Sequence, residues 1–212
     1  MAANNPVQLR PDGLHLYTAS PLAQLAGDET LAVFADGLLP AAIARLAPLP
    51  LAYTLGQALQ QAEPAAGPLL AALLALDAAV ITVLHDKPHI FPLPGFLAYR
   101  RRLPPLSGPG ATLRLPPLNP NGHYRLIAVD NFFAAIRLDL HPRQKIAGHV
   151  RLAVAGPTRP AVRLVAAEHR LDRQILTPAL VRVALAASQP DLNQPLTPAE
   201  QAHLAGALQA LL

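Results

Sequence analysis

His85 and His89 stand four residues apart, a spacing that on a helix would bring two imidazoles onto one face as the start of a metal site. They bracket Asp86-Lys87-Pro88, which reads as the turn of a hairpin, so the helical argument fails and no metal is expected in this chain. His15, His123, His141, His149, His169 and His203 are scattered, with no third ligand close in sequence. Asp130 and Asp139 flank a strand-like run at odd spacing, which points them to opposite faces and separates them as an acid–base pair. There is no Gly-x-Ser-x-Gly elbow, and Ser20, Ser107 and Ser188 fall at helix edges or in loops. Gly108-Pro109-Gly110 cannot cradle a phosphate, because the proline removes an amide and no Lys-Ser/Thr follows. No catalytic residue is assigned.

The elements that must position any site are short. Twenty-four prolines in 212 residues break the chain into pieces joined by stiff turns. Residues 13–17 alternate like a strand. Ser20-Pro21 reads as a cap and first helical proline, and Asp28 as the cap of a helix through ETLAVFADGLL, followed by a further helical piece at 40–46. Residues 51–56 form a turn into a helix at 57–61. Pro68 opens LLAALLAL, so uniformly apolar that the helix must be buried on all sides. Residues 78–84 are β-branched and strand-like, return through Asp86-Lys-Pro to His89-Ile-Phe, and lead to a helix or loop at 92–99. The Pro- and Gly-rich stretch 103–121, with a strand at 111–115, marks a domain boundary. Beyond it, 124–129, 132–140 and 146–155 read as a three-stranded antiparallel meander, followed by helices at 161–171, 178–187 and 198–212. Thr177-Pro178 and Thr197-Pro198 are cap-plus-proline starts. The fold class is α+β: an α+β lobe, then an antiparallel sheet packed with helices.

Composition narrows the functions. Apolar residues make up 52% and charged residues 14%, which is globular and not disordered. Seventeen basic residues stand against thirteen acidic ones, and the densest knot is Arg100-Arg101-Arg102 after Tyr99. Nucleic-acid binding would need a basic stripe interleaved with aromatics, so no nucleic-acid partner is expected. The absence of cysteine removes disulfides, thiolate zinc, iron–sulfur ligation and a cysteine nucleophile from this chain. The apolar run at 68–84 is interrupted by Asp77, and the first residues lack a basic start with an apolar core, so neither membrane span nor secretory signal is expected and the location is read as cytoplasmic. The Leu/Ala-rich last helix reads as core packing or a subunit interface, which leaves a homo-oligomer open.

Several runs, taken in order, resemble the flavoprotein subunit of the molybdenum hydroxylases, the xanthine dehydrogenase and aerobic carbon monoxide dehydrogenase family. Residues 55–78, LGQALQQAEPAAGPLLAALLALDA, are similar to its T-[IL]-G-G-N…A-D-P-A-A-D…A-L-L-A-L-D-A run. Pro94-Gly-Phe-Leu-Ala-Tyr-Arg is similar to D-F-F-x-G-Y-R, residues 109–116 to P-G-E-L-[IL]-x-x-V-x-[IL]-P, and residues 150–163 to R-[IL]-A-L-G-G-V-A-P-T-P-V-R-A. The resemblance runs from about Gly13 to the end. It implies residues 1–108 as a middle FAD-subdomain-like lobe, without the first FAD subdomain, and 109–212 as a carbon monoxide dehydrogenase flavoprotein C-terminal-like domain. It further implies FAD as cofactor, molybdopterin-binding and iron–sulfur subunits as partners, and Thr54, Leu55, Gly56 and Gln57 as the cofactor-binding residues. Thr54, Leu55 and Gly56 keep the family pattern, whereas Gln57 replaces the second glycine, Ala58 the asparagine and Gly67 the aspartate. The early A-G-G-T-D loop has no counterpart. Bare backbone approaches a pyrophosphate closely and a Cβ crowds it, so weak or absent FAD binding by the chain alone is expected. The reading is of a structural or docking subunit. One alternative is an FAD electron-transfer subunit whose missing lobe comes from another chain; another is an unrelated interaction domain.

Overall fold

A computed structural model describes residues 5–46, 52–106, 110–188 and 192–211. Its first sheet is antiparallel and ordered β1-β2-β5-β3-β4, from β1 (Val7–Arg10), β2 (Gly13–Tyr17), β3 (Ala79–Leu84), β4 (Lys87–Pro92) and β5 (Thr112–Leu115). The sequence pattern does not announce β1; it is a four-residue edge strand between Pro6 and Pro11, too short to show a period. The hairpin of β3 and β4 turns at His85-Asp86, both at positive φ (50° and 60°), as a two-residue loop requires. The turn therefore lies one residue earlier than Asp86-Lys-Pro, and Lys87 and Pro88 are already strand.

That hairpin also guards its own edge. In a two-residue hairpin the pair next to the loop, Leu84 and Lys87, is hydrogen-bonded. Alternation then turns the outward backbone positions of β4 to Pro88, Ile90 and Pro92, two of which have no N–H to offer.

Helices line the inner face of this sheet. α1 (Leu22–Ala26) begins one residue later than expected, with Pro21 as its cap residue and no side-chain cap. α2 (Glu29–Val33) is capped by Asp28, whose carboxylate accepts from the amides of Thr30 and Leu31. The single helix expected through ETLAVFADGLL is broken, because Ala35, Asp36 and Gly37 are left-handed in succession (φ 51°, 55° and 70°) and a right-handed helix cannot run through them. The reversal delivers α3 (Leu38–Ile43) with Leu38, Leu39 and Ala42 buried. α4 (Leu55–Gln61) starts two residues before the expected 57, so that Leu55 and Gly56 are already helix, and α6 (Leu93–Tyr99) lies within the expected 92–99. All nine residues of α5 (Gly67–Ala75) are buried.

The second sheet has four strands rather than three: β6 (Gly122–Val129), β7 (Phe132–Leu140), β8 (Ala147–Ala155) and the two-residue β9 (Val162–Arg163). The helix expected from 161 yields its first residues to β9, where Val162 and Arg163 pair with Val154 and Ala153, and α7 (Val165–Leu171) starts after it. α8 (Pro178–Ala187) and α9 (Pro198–Gln209) start as the Thr-Pro pairs predict: Thr177 accepts from the Leu180 amide, and Thr197 forms a capping box with Glu200.

Strand alternation assigns the two faces of this sheet. Phe132, Ala134, Ile136 and Leu138 of β7, with Val150, Leu152 and Val154 of β8, share a core with α7, α8 and α9. Ala135, Ala153 and Ala155 face the other way and join the core built on α5. These side chains are small, so the helix comes close: a Cβ on Gly67 would stand 3.0 Å from that of Ala155. α5 is thus a layer shared by both sheets, which is why its sequence shows no polar face. The 108/109 division lies outside the described residues. β5, which follows it, sits between β2 and β3, so the passage between the sheets occupies residues 116–121.

Candidate functional site

Thr54 is the N-cap of α4, and the residues after it are its first turn. A helix start offers amide N–H groups to an anion only where those groups are free. Here each has a partner. The Thr54 amide donates to Oε1 of Gln57 (2.8 Å), and the Gln57 amide donates to Oγ1 of Thr54 (3.2 Å), a reciprocal capping box. The Leu55 amide donates to the Ser20 carbonyl (3.1 Å) and the Gly56 amide to the Thr18 carbonyl (2.7 Å). All four amides of Thr54–Gln57 are consumed by the protein itself. The residues present do not fit a pyrophosphate.

Gly56 has a different reason to be glycine. A Cβ there would meet the Thr18 carbonyl oxygen at 3.1 Å, and Cβ and the carbonyl oxygen of Leu106 at 3.2 Å each. Thr18 is fully buried and fixes that ceiling, its hydroxyl bonding to the carbonyls of Leu106 (2.6 Å) and Ala111 (3.0 Å). Gly56→Val is therefore expected to destabilise the fold by about 2 kcal/mol or more, through overpacking against backbone. Thermal or urea unfolding checks it, and unchanged stability would show that the ceiling yields.

The structure builds a polar centre that sequence reasoning missed, where α5 meets the second sheet. In the sequence Asp77 is legible only as a charge interrupting an apolar run. It is left-handed (φ 53°), and its carboxylate accepts from Nε2 of His149 (2.8 Å), Nε of Arg151 (2.8 and 2.9 Å) and Nη1 of Arg163 (3.2 Å). Arg163 also grips the buried Glu168, whose Oε1 accepts from the Leu152 amide (2.9 Å). Burial pushes the Asp77 carboxyl up, but the bonds from His149 and Arg151 and the charges of Arg151 and Arg163 outweigh it and hold the pKa at about 2. The partners lie 72 to 86 residues away in sequence, so no local pattern announces them.

Two clefts flank the tip of the β6–β7 hairpin. One, of about 560 Å³, is lined by Arg45, Pro64, Pro68, Asp130 and Phe133. The other, of about 430 Å³, lies beyond Asp130 and Asn131 and is floored by Arg159 and Glu200, with His203 on its wall. Arg159 is held by Glu200 (3.1 and 3.3 Å) and the Pro195 carbonyl (3.1 Å). Neither cleft includes Thr54, Leu55, Gly56 or Gln57.

The remaining chemistry-bearing residues stay apart. His85 occupies the hairpin loop and His89 the neighbouring strand, where its ring stacks on Phe91 with centroids 6.2 Å apart. Among the described residues no group of three or more His, Cys, Asp or Glu could hold a metal ion. Asp130 is in the loop and Asp139 near the far end of β7. Ser20 and Ser188 are buried at helix edges; Ser107, Gly108 and Pro109 lie outside the described residues. No helix among the described residues is long and apolar enough to cross a membrane.

No protein-family model and no curated protein matches this sequence. Solved structures do match it. A chain of the carbon monoxide dehydrogenase from Hydrogenophaga pseudoflava lacking the Mo-pyranopterin moiety of its cofactor superposes with a TM-score of 0.72 at 16% identity, over 97% of this chain and 74% of that one. A chain of the cyanide-inactivated Cu,Mo-CO dehydrogenase gives 0.74 at 16% identity, over 99% and 80%. A chain of quinoline 2-oxidoreductase from Pseudomonas putida 86 gives 0.67 at 14% identity, over 97% and 75%. Over nearly its whole length, this chain has the fold of a chain found in carbon monoxide dehydrogenase and quinoline 2-oxidoreductase.

Proposed function

We propose that this chain is a flavoprotein-type subunit of a molybdenum hydroxylase complex that serves in packing and docking and does not hold FAD tightly by itself. The shared fold supports the class. It also weighs against an unrelated interaction domain, which would have no reason to follow those chains over 74 to 80% of their length. The loss of cofactor rests on one observation, the engagement of all four amides of Thr54–Gln57 within the protein. For each bond gained from this turn, a dinucleotide would have to displace one acceptor already in place: the Gln57 side chain, the Thr54 hydroxyl, or the Ser20 or Thr18 carbonyl. Its partners would be molybdopterin-binding and iron–sulfur subunits.

Titration of the purified protein with FAD, followed by flavin fluorescence, tests this directly. No saturable binding is expected up to about 100 μM, an affinity ceiling of roughly 5 kcal/mol. A yellow protein that keeps its flavin through gel filtration would overturn the proposal and favour an electron-transfer subunit. Gln57→Gly is the informative variant, since it frees the Thr54 amide and removes the crowding Cβ without touching the packing under Thr18. It is expected to leave FAD affinity below detection, because the Leu55 and Gly56 amides remain engaged. Co-purification of colourless protein with a molybdopterin-binding subunit would support the docking role.

A further inference from the structure

On the face of the second sheet that looks toward the first lobe, Tyr124 and Arg137 are cross-strand partners, and Gly122 and Asp139 are the next non-adjacent pair along the same two strands. Tyr124 lies back along its own strand, so that a Cβ on Gly122 would fall 2.4 Å from its hydroxyl oxygen. The phenol thus ends beside the Asp139 position. Nε of Arg137 is 3.8 Å from Oδ1 of Asp139, too far for a hydrogen bond. The other carboxylate oxygen, Oδ2, is already bonded to Nδ2 of Asn119 (3.1 Å). Arg137 is only 4% exposed and Tyr124 9%. Four buried atoms in this cluster have no partner among the described residues: Nε and Nη1 of Arg137, Oδ1 of Asp139 and the hydroxyl of Tyr124.

Buried polar groups are rarely left bare, and these four are mutually complementary. Two can only donate, one can only accept, and the phenol can do either. Burial pushes the Tyr124 hydroxyl pKa up, so it stays protonated at neutral pH. We infer that Arg137, Asp139 and Tyr124 form an internal site for one water molecule, which accepts from the guanidinium and from the Tyr124 hydroxyl and donates to Oδ1 of Asp139. Water meets the demand because it supplies two donors and two acceptors. A halide or carboxylate does not, since it would leave Oδ1 of Asp139 without a donor and add a negative charge beside it. The neighbouring Arg151, opposite Arg137 on β8, already gives its Nε to Asp77.

Tyr124→Phe separates the alternatives by sign. If the hydroxyl is bridged by the water, its removal raises the unfolding equilibrium constant about fivefold to tenfold. If the hydroxyl is truly bare, the same change leaves stability unchanged or increases it, and the inference fails. In an Arg137→Met background the effect of Tyr124→Phe is expected to vanish, because the donors that hold the water are gone; an undiminished effect would also defeat the inference. A crystal structure at high resolution is expected to show one ordered water within hydrogen-bond reach of Nε of Arg137 and Oδ1 of Asp139, and a direct Arg137–Asp139 bond there would overturn it. Stabilisation of the parent by chloride that is absent in Arg137→Met would identify an anion site instead and likewise overturn it.

Discussion

Leu73→Ala is expected to lower folding stability by about 4 kcal/mol, toward the upper end of what truncating one buried leucine costs. Leu73 is fully buried in α5, a helix with no exposed face, so the lost methyl groups leave a hole that neither sheet can fill by sliding a side chain from the surface. On the side of α5 that meets the second sheet, Ala135, Ala153 and Ala155 are already minimal and have no side chain to swing inward. Urea unfolding at neutral pH measures the effect as a fall in midpoint at unchanged slope. A loss below about 1.5 kcal/mol would mean that α5 is loosely held. Leu73→Met, which keeps volume, should cost about 1 kcal/mol.

Asp77→Asn is expected to cost about 2 to 3 kcal/mol at pH 7, since it takes from Arg151 the carboxylate it pairs with in a partly buried setting and leaves Arg163 with Glu168 alone. Asparagine tolerates the left-handed backbone at this position, so the change reports the carboxylate and not the φ of 53°. The pH dependence follows from the depressed pKa. A carboxyl at about 2 when folded and 3.8 when unfolded stabilises the fold fully above about pH 4, and that contribution is lost as the pH falls toward 2. The shift corresponds to roughly 2 kcal/mol, in line with the variant. The parent should therefore lose stability between pH 4 and pH 2 more steeply than Asp77→Asn. Parallel curves for the two proteins over that interval would remove Asp77 from the account.

Much of the frame is legible in the sequence because its signals are local. The β-branched run before His85, the meander strands and the Thr-Pro starts of α8 and α9 each carry their instruction within a few residues. The elements that escape do so for identifiable reasons. β1 is four residues long, and the left-handed passage at Ala35-Asp36-Gly37 violates the preference of alanine, so only the packing of α2 and α3 explains it. The turn at Thr54–Gln57 lies where the sequence puts it, but spacing alone shows only the crowding of a side chain there. The structure adds that the Gln57 side chain is a cap and that the Ser20 and Thr18 carbonyls, more than thirty residues upstream, occupy the next two amides. Gly56 is a candidate contact for a ligand in the sequence, yet its bareness answers to Thr18 and Leu106. Long-range partners of this kind, like those of Asp77, leave no imprint on spacing.

The burial of α5 on both sides bears on how the molecule must come into being. During synthesis this helix emerges well before β7 and β8, and until they arrive one of its walls has nothing to rest against. The early half of the chain can settle around Leu14, Leu113 and Phe96 but must carry a greasy, uncharged flank while the ribosome finishes the rest. Fragments divided at residues 116–121 would each inherit half of that seam. The two halves are therefore expected to mature as one cooperative unit, with the helix from the first acting as the template on which the second is laid down.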